Sequence, residues 1–320
     1  MHLTDKMHPD SLPSAAAALP AGVRVFQRGW LSSNNILVSG KGHAALIDSG
    51  YCSHSAQTVA LVQNALAGQP LDLLLNTHLH SDHCGGNAAL QAVYPQMQTR
   101  IPPGLATAVA AWSPAALSFE ATGQSCPPFG FGALLLPGSE IRLGNQTWQV
   151  HAAPGHDLHS VVLFEPVARL LISADALWEN GFGVVFPELE GTDAFDSVGA
   201  TLDLIAALAP RTIIPGHGSP FSDLERALYT ARTRLDYFQR SPQRHRNYAA
   251  KVLLKFKLLE LQHTTVADLT RWALATPYIV LIGQSFFQDT PPTQMVQEWI
   301  AQLVSAGAAT ADGEVLYNRD

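Results

Sequence analysis

Thr77-His78-Leu79-His80-Ser81-Asp82-His83 places three imidazoles and a carboxylate within six consecutive residues, directly after the run Leu71-Asp72-Leu73-Leu74-Leu75. That run reads as a short buried strand, so the histidines emerge at its C-terminal edge, where α/β sheets place their chemistry. In an extended chain residues i and i+2 face the same way, so His78 and His80 can grip one ion together. Asp82 and His83 lie past the bend and suit a second ion. Gly85-Gly86 then lets the backbone turn sharply and start a helix near Asn87. A solvated loop rich in histidine would account for a lone His-x-His. Four ligand-type side chains at this spacing argue against it.

The pattern His-x-His-x-Asp-His followed by Gly-Gly resembles the signature of the metallo-β-lactamase fold superfamily. The resemblance implies a four-layer αββα sandwich and further ligands from three later points, each with a candidate in the expected order. These are His156 in Ala153-Pro154-Gly155-His156, Asp175 in Ile172-Ser173-Ala174-Asp175, and His217 in Ile214-Pro215-Gly216-His217-Gly218. Asp48, in Leu46-Ile47-Asp48-Ser49-Gly50, matches the acidic residue that ends an early strand in the family and braces the site. The matches run from about Asn34 to Pro220.

Each later position also makes sense from its own surroundings. His156 follows Pro-Gly after a strand-like stretch from Thr147 to Ala152, Leu170 to Ser173 is an apolar run that delivers Asp175, and Ile213-Ile214 delivers His217. All therefore sit just beyond strand ends, where separate segments can converge on one cleft. His156 taken alone could also cap a helix or sit in a core, the lesser of its two readings. His159, three residues on, is expected beside the ligands or in the wall of the site.

With the resemblance in place, neutral His78, His80 and His156 suit a borderline ion such as zinc, and Asp82, His83 and His217 suit a second, with Asp175 bridging. Iron and manganese are the alternative divalent metals. A bridging carboxylate and a shared hydroxide offset the repulsion between two close cations, and metal binding lowers the pKa of water to about 7. The expected reaction is attack of metal-bound hydroxide on a carbonyl or phosphoryl centre, with Asp82 and Asp175 as the catalytic carboxylates. The segment from Ala176 to Pro187 is the expected specificity loop, combining glycines with Trp178 and Phe182 as an apolar wall; Trp178, Phe182 and Phe186 could equally pack in the core.

Composition fits a globular enzyme. The 320 residues are 47% hydrophobic, enough for a substantial core, and 19 basic against 26 acidic residues give a net charge of −7. That balance disfavours a nucleic-acid or membrane-surface role for the whole protein, leaving room for a local patch; the expected partners are a small-molecule substrate and, for a homo-oligomer, further copies of the chain. Met1 to Pro20 lacks a basic start and a long apolar core, so no signal peptide or membrane span is expected. Cys52, Cys84 and Cys126 are an odd number and widely spaced, which speaks against a disulfide framework and for a cytoplasmic setting. Cys84, next to His83, could bind metal or become oxidised; the blander reading makes it a bystander.

Along the chain, Val23 to Asp48 reads as a strand meander, His54 to Leu66 and Pro102 to Trp112 as helices, and Ser113 to Phe131 as an irregular insert framing the cleft. Leu134 to Ala174 returns to strands, and Asp193 to Leu208 is helical, closed by Pro210. Residues 1–222 thus form a metal-binding catalytic domain and 223–320 a helical or winged-helix-like C-terminal domain. In the latter, Leu224 to Leu261 breaks near Ser241-Pro242, Val266 to Trp272 and Met295 to Val304 are further helices, and Gly313 to Tyr317 is a small strand. It carries a basic cluster, Arg240, Arg244, Arg246, Lys251, Lys255 and Lys257, with His245 among them, whereas no lysine occurs from Gly42 to Ala250. The cluster is either a solvated helix face or an anchor for an anionic part of a substrate.

Absences rank the activities the resemblance allows. Lactamases usually place cysteine or other residues at some of these ligand positions. Lactonases of the family use a tyrosine soon after the bridging aspartate, yet none occurs between Tyr94 and Tyr229. Flavin-dependent di-iron relatives replace an early histidine by glutamate, and nuclease members carry a large extra domain. A glyoxalase II-like ligand set leads, implying a dinuclear hydrolase of an ester, thioester or lactone. The alternatives are a mononuclear iron oxygenase resembling persulfide dioxygenases, a nuclease or phosphoester hydrolase, and a regulatory module with a structural metal. Seven ligands exceed what one closed structural site needs, which weighs against the last.

Overall fold

Period-two alternation builds the layers. Ile36 and Val38 face one way and Leu37 the other, and Leu73 and Leu75 part from Leu74 likewise. The computed structural model describes residues 19–40, 42–286 and 289–319; the stretch Met1 to Pro20, up to residue 18, lies outside them. Among the described residues one sheet holds β1 (Val23–Phe26), β2 (Asn35–Gly40), β3 (His43–Ile47), β4 (Leu73–Leu75), β5 (Gln98–Ile101) and β6 (Ala133–Leu134) in sequence order. Its first three strands pair antiparallel and the rest parallel. The second sheet holds β7 (Glu140–Leu143), β8 (Gln146–Ala152), β9 (Val161–Glu165), β10 (Leu170–Ala174) and β11 (Thr212–Pro215) in the order β11-β10-β9-β8-β7.

The inward rows Ile36, Val38, Ile47, Leu73 and Leu75 meet Trp148, Val150, Leu163, Leu170, Ile172 and Ile214 of the second sheet. Outward, Leu37, Leu46 and Leu74 pack on Val62, Leu66 and Leu90 of the helices Ser55–Leu66 and Asn87–Val93. Only β10 and β11 pair parallel in the second sheet, and the parallel step requires a crossover. The helix Phe195–Leu208 provides it, burying Val198, Leu202 and Ile205 at helical spacing and ending on Ala209 in the left-handed region at φ 47°. The result is an αββα sandwich. Truncating a fully buried strand residue such as Leu74 to alanine would cost about 2–5 kcal/mol, so this frame is stiff.

Two local expectations are corrected, and one element is added. The helix read over Pro102 to Trp112 is a 3-10 turn, Pro103–Leu105, followed by a short helix, Ala106–Ala110. Ser81–Cys84 forms one helical turn that the sequence did not announce. Gly85 and Gly86 have ordinary right-handed conformations, φ −61° and −85°, so no special turn requires them. Their role is close approach, because a Cβ on either would collide with backbone of the neighbouring loop at Cys52 or Ser49.

The chain forms two compact units. The larger takes its described residues from 16–119 and 125–236, the smaller from 120–124 and 237–320. The sequence boundary at 222–223 falls just before the helix Leu224–Arg240, whereas the units part near its C-terminal end. In the smaller unit the helices Pro242–Leu261, Val266–Ala275, Pro277–Phe286 and Pro292–Ser305 accompany an antiparallel sheet of β12 (His263–Thr265), β13 (Ala309–Asp312) and β14 (Val315–Asn318), with β14 central. The Pro277–Phe286 helix escaped the sequence reading because Tyr278-Ile279-Val280-Leu281-Ile282 is a continuous apolar run without helical periodicity.

The three lysines and Arg244 of the basic cluster have partners within their own unit. Lys255 Nζ donates to the carbonyls of Ala308 and Arg319 at 2.9 and 2.7 Å and to Asn318 Oδ1. Lys251 reaches Gln302, Lys257 pairs with Glu260, and Arg244 lies over the Tyr237 ring. The anchor for an anionic substrate is therefore not favoured, since Lys255 pins the end of β14 instead. Among the described residues no helix is long and apolar enough to cross a membrane.

Candidate metal centre

Four strand ends of the larger unit supply the site. His78 and His80 follow β4, His156 follows β8, Asp175 follows β10 and His217 follows β11, while Asp82 and His83 sit on the single helical turn. These side chains fall into two groups, His78, His80 and His156 in one and Asp82, His83, Asp175 and His217 in the other. Within each group the donor atoms lie within 4.8 Å of one another. Asp175 faces both: its Oδ1 is 3.5 Å from His83 Nε2 and its Oδ2 is 3.4 Å from His156 Nε2.

Hydrogen bonds behind the ligands fix their orientation. Asp48 Oδ2 accepts from His83 Nδ1 at 2.8 Å, and the Val184 carbonyl accepts from His156 Nδ1 at 2.5 Å. Each ring thereby directs its Nε2 into the site, and both Nε2 atoms are buried without a hydrogen-bond partner. His78 Nε2 and His80 Nδ1 face each other at 3.1 Å. Orphaned, convergent lone pairs backed by a carboxylate or carbonyl are what a cation needs from imidazole ligands, so these residues fit divalent metal ions. Asp48 and Ala174 both adopt left-handed backbone, φ 57° and 47°, strain placed one residue before Asp175 and at the carboxylate that braces His83.

Electrostatics separate the groups. Burial holds His78 well below the ordinary histidine value, helped by the neighbouring imidazoles, and pushes His80 and His156 down to about 4. The first group is thus neutral at pH 7 and offers lone pairs. In the second group burial opposes charge, yet Asp175, Asp48 and Asp82 outweigh it and raise His83 well above its usual value. Against the same burial, His83 and His217 hold Asp175 well below the carboxylate range and Asp82 lower than usual. The carboxylates of this group hold positive charge at His83, as a proton that a divalent ion would replace.

Aromatic rings border the second group. Trp178 Nε1 donates to Asp175 Oδ1 at 3.1 Å, and its ring meets His217 and Trp30 edge-on. Trp30 stacks on His217 at 5.3 Å and 10° yet is 52% exposed. Phe186 packs beside His80 and His156. Phe182, expected either in the wall of the site or in the core, is fully buried. His159 is exposed, and its ring stands over Gly104. Its neighbour Asp157 is the residue that approaches His80, at 3.9 Å. Trp30 and Asn34 were missed. Asn34 Nδ2 donates to the carbonyls of Pro215 and Gly218, clamping the turn that carries His217. Cys84 directs its sulfur to the His80 carbonyl and joins neither group; burial and Cys126 push its thiol well above the usual value, so it rests protonated.

Two facing sheets with histidine and aspartate donors gathered at their strand ends define a class. The chain belongs to the metallo-beta-lactamase superfamily, whose family pattern matches residues 28–217. It is 34% identical over 179 residues to a hydroxyacylglutathione hydrolase of Dechloromonas aromatica (strain RCB), covering 56% of this chain and 54% of that protein. A protein of the same name from Rhodobacter capsulatus is 35% identical over 147 residues, covering 45% and 47%. The chain thus spans about half the length of these curated relatives. Among solved structures, a beta-lactamase domain protein from Burkholderia ambifaria shares the fold over 97% of both chains, with TM-score 0.57 and 20% identity. A protein solved in a di-iron-bound form matches 65% of this chain and 98% of its own, with TM-score 0.50 and 27% identity.

Proposed function

We propose that the chain is a dinuclear metal-dependent hydrolase of a small ester or lactone and, foremost, of a thioester. The observation that carries this reading is Asp175 presenting one oxygen to each of two ligand groups. The similarity to proteins named hydroxyacylglutathione hydrolase puts thioesters first. His78, His80 and His156 would hold one ion, Asp82, His83 and His217 the other, and Asp175 both. Zinc suits the nitrogen-rich set, with iron and manganese as alternatives. When bound, divalent ions polarise a carbonyl oxygen and make hydroxide available near neutral pH.

The chain's own residues do the rest. Asp48 and the Val184 carbonyl hold the His83 and His156 protons on Nδ1, away from the site. Trp178 fixes the rotamer of Asp175, and Trp30, Trp178 and Phe186 offer apolar surface to an acyl group while limiting water. Three widely spaced cysteines, an odd number, accord with a cytoplasmic setting.

The test couples metal analysis with a substrate panel. Protein purified without added metal should carry two divalent ions per chain and hydrolyse thioesters or esters. Asp82→Ala and His217→Ala should each lose about one ion and most activity while keeping the fold. One iron per chain with sulfur oxygenation, or full activity in either variant, would overturn the reading.

A further inference from the structure

We propose that Cys84 and Cys126 form an oxidation site, which a hydroperoxide converts into a disulfide tying the loop around Cys126 to the turn that carries Asp82 and His83. Cysteines far apart in sequence converge here. The Cys84 and Cys126 sulfurs are 3.9 Å apart, and Cys52 Sγ donates to the carbonyl of Ser125, the neighbour of Cys126, at 3.3 Å.

Exposure divides the labour. Cys84 is fully buried, its sulfur directed at the carbonyls of His80 and Leu79. Cys126 is half-buried in a loop whose Ser125, Pro127, Pro128 and Gly130 are exposed, so a small oxidant reaches it first. Around the pair lie Leu79, Ile101, Val109, Leu117, Phe119 and Phe129, which leave the Cys84 sulfur as the adjacent nucleophile once Cys126 is oxidised.

The chemistry balances with the peroxide as sole oxidant. The Cys126 sulfur attacks the outer oxygen of ROOH, the O–O bond breaks, and ROH leaves with the thiol proton, giving a sulfenic acid. The Cys84 sulfur then attacks the Cys126 sulfur; the S–S bond forms, the S–O bond breaks, and hydroxide departs with the Cys84 proton as water. Two thiols lose two electrons, and the peroxide is reduced to one alcohol and one water.

A disulfide needs the sulfurs to close to about 2.05 Å. The Cys84 side is held: the His83 carbonyl accepts from Ser49 N and Asn76 Nδ2, Gly85 N donates to Ser81, and Gly86 N to Gly50. The exposed 125–130 loop therefore makes the approach.

The experiment treats the whole protein with excess hydrogen peroxide under native conditions, then counts thiols after denaturation and maps unreduced peptides by mass. The three thiols of the sequence should fall to one, with two hydrogens lost and a Cys84–Cys126 peptide recovered. Cys52→Ser should form the same link, and Cys126→Ser should retain Cys84 as a thiol. Three thiols left after treatment, a link through Cys52, or Cys84 oxidised in Cys126→Ser as fast as in the unaltered protein would each overturn the proposal.

Discussion

Asp48 Oδ2 accepts the Nδ1 proton of His83 at 2.8 Å while the same carboxylate accepts from Thr77 N and Oγ1, so one buried side chain orients His83 and the strand end that delivers His78. Asp48→Asn keeps the shape but removes the charge and one acceptor. Such changes behind a ligand typically weaken metal affinity about 10–100-fold. Titration of the metal-free variant with zinc should show that loss confined to one of two ions. Two unchanged affinities would mean that Asp48 only packs.

Gly216 lies against the bridging position. A Cβ there would collide with Asp175 Oδ1 and come within 3.0 Å of His83 Cε1 and 3.1 Å of the Ala174 carbonyl carbon. Gly216→Ala must therefore displace Asp175, and the metal content of the purified variant should drop from two ions to one or none. A variant that retains both would show that the turn yields more easily than its hydrogen bonds to Asn34 and Ala174 imply.

The segments that carry the two His/Asp groups were legible because His78, His156, Asp175 and His217 come within a few residues of apolar runs that form β4, β8, β10 and β11, and a strand end is a place that local sequence can mark. Asn34 was not, because its partners Pro215 and Gly218 lie over 180 residues away and the Ser32-Ser33-Asn34 stretch resembles any turn. Trp30 reaches His217 only through the folding of distant segments. The choice between Phe182 and Phe186 was equally hidden: the loop after Asp175 has no periodicity to say which ring faces the ligands. In the smaller unit β12 spans three residues, too few to show alternation, and it exists through pairing with β14.

Trp178→Phe separates orientation from packing, since it keeps an aromatic ring beside His217 and deletes the Nε1 bond to Asp175 Oδ1. A hydrogen bond to a charged acceptor contributes about 1.5–3 kcal/mol, and a loss of 1.4 kcal/mol is about tenfold in rate. The variant should lose about tenfold or more in kcat with its metal content intact. A change in KM alone would identify Trp178 as a binding surface and no more.

His245 gives the smaller unit a pH dependence of its own. It is buried in the helix Pro242–Leu261 with its ring 5.1 Å from that of Phe238, and burial, with Arg246 acting in the same direction, pushes it down to about 3. In the unfolded chain an imidazole titrates near 6.5. Between these values the unfolded state takes up a proton that the folded state does not, so stability is fully present above pH 6.5 and falls as the pH drops toward 3. The slope is at most about 1.4 kcal/mol per pH unit. His245→Phe removes the group, and the urea midpoint of the variant should depend less steeply on pH across that window, whatever the substitution costs in absolute stability. Parallel slopes for the two proteins would show that His245 is protonated within the fold.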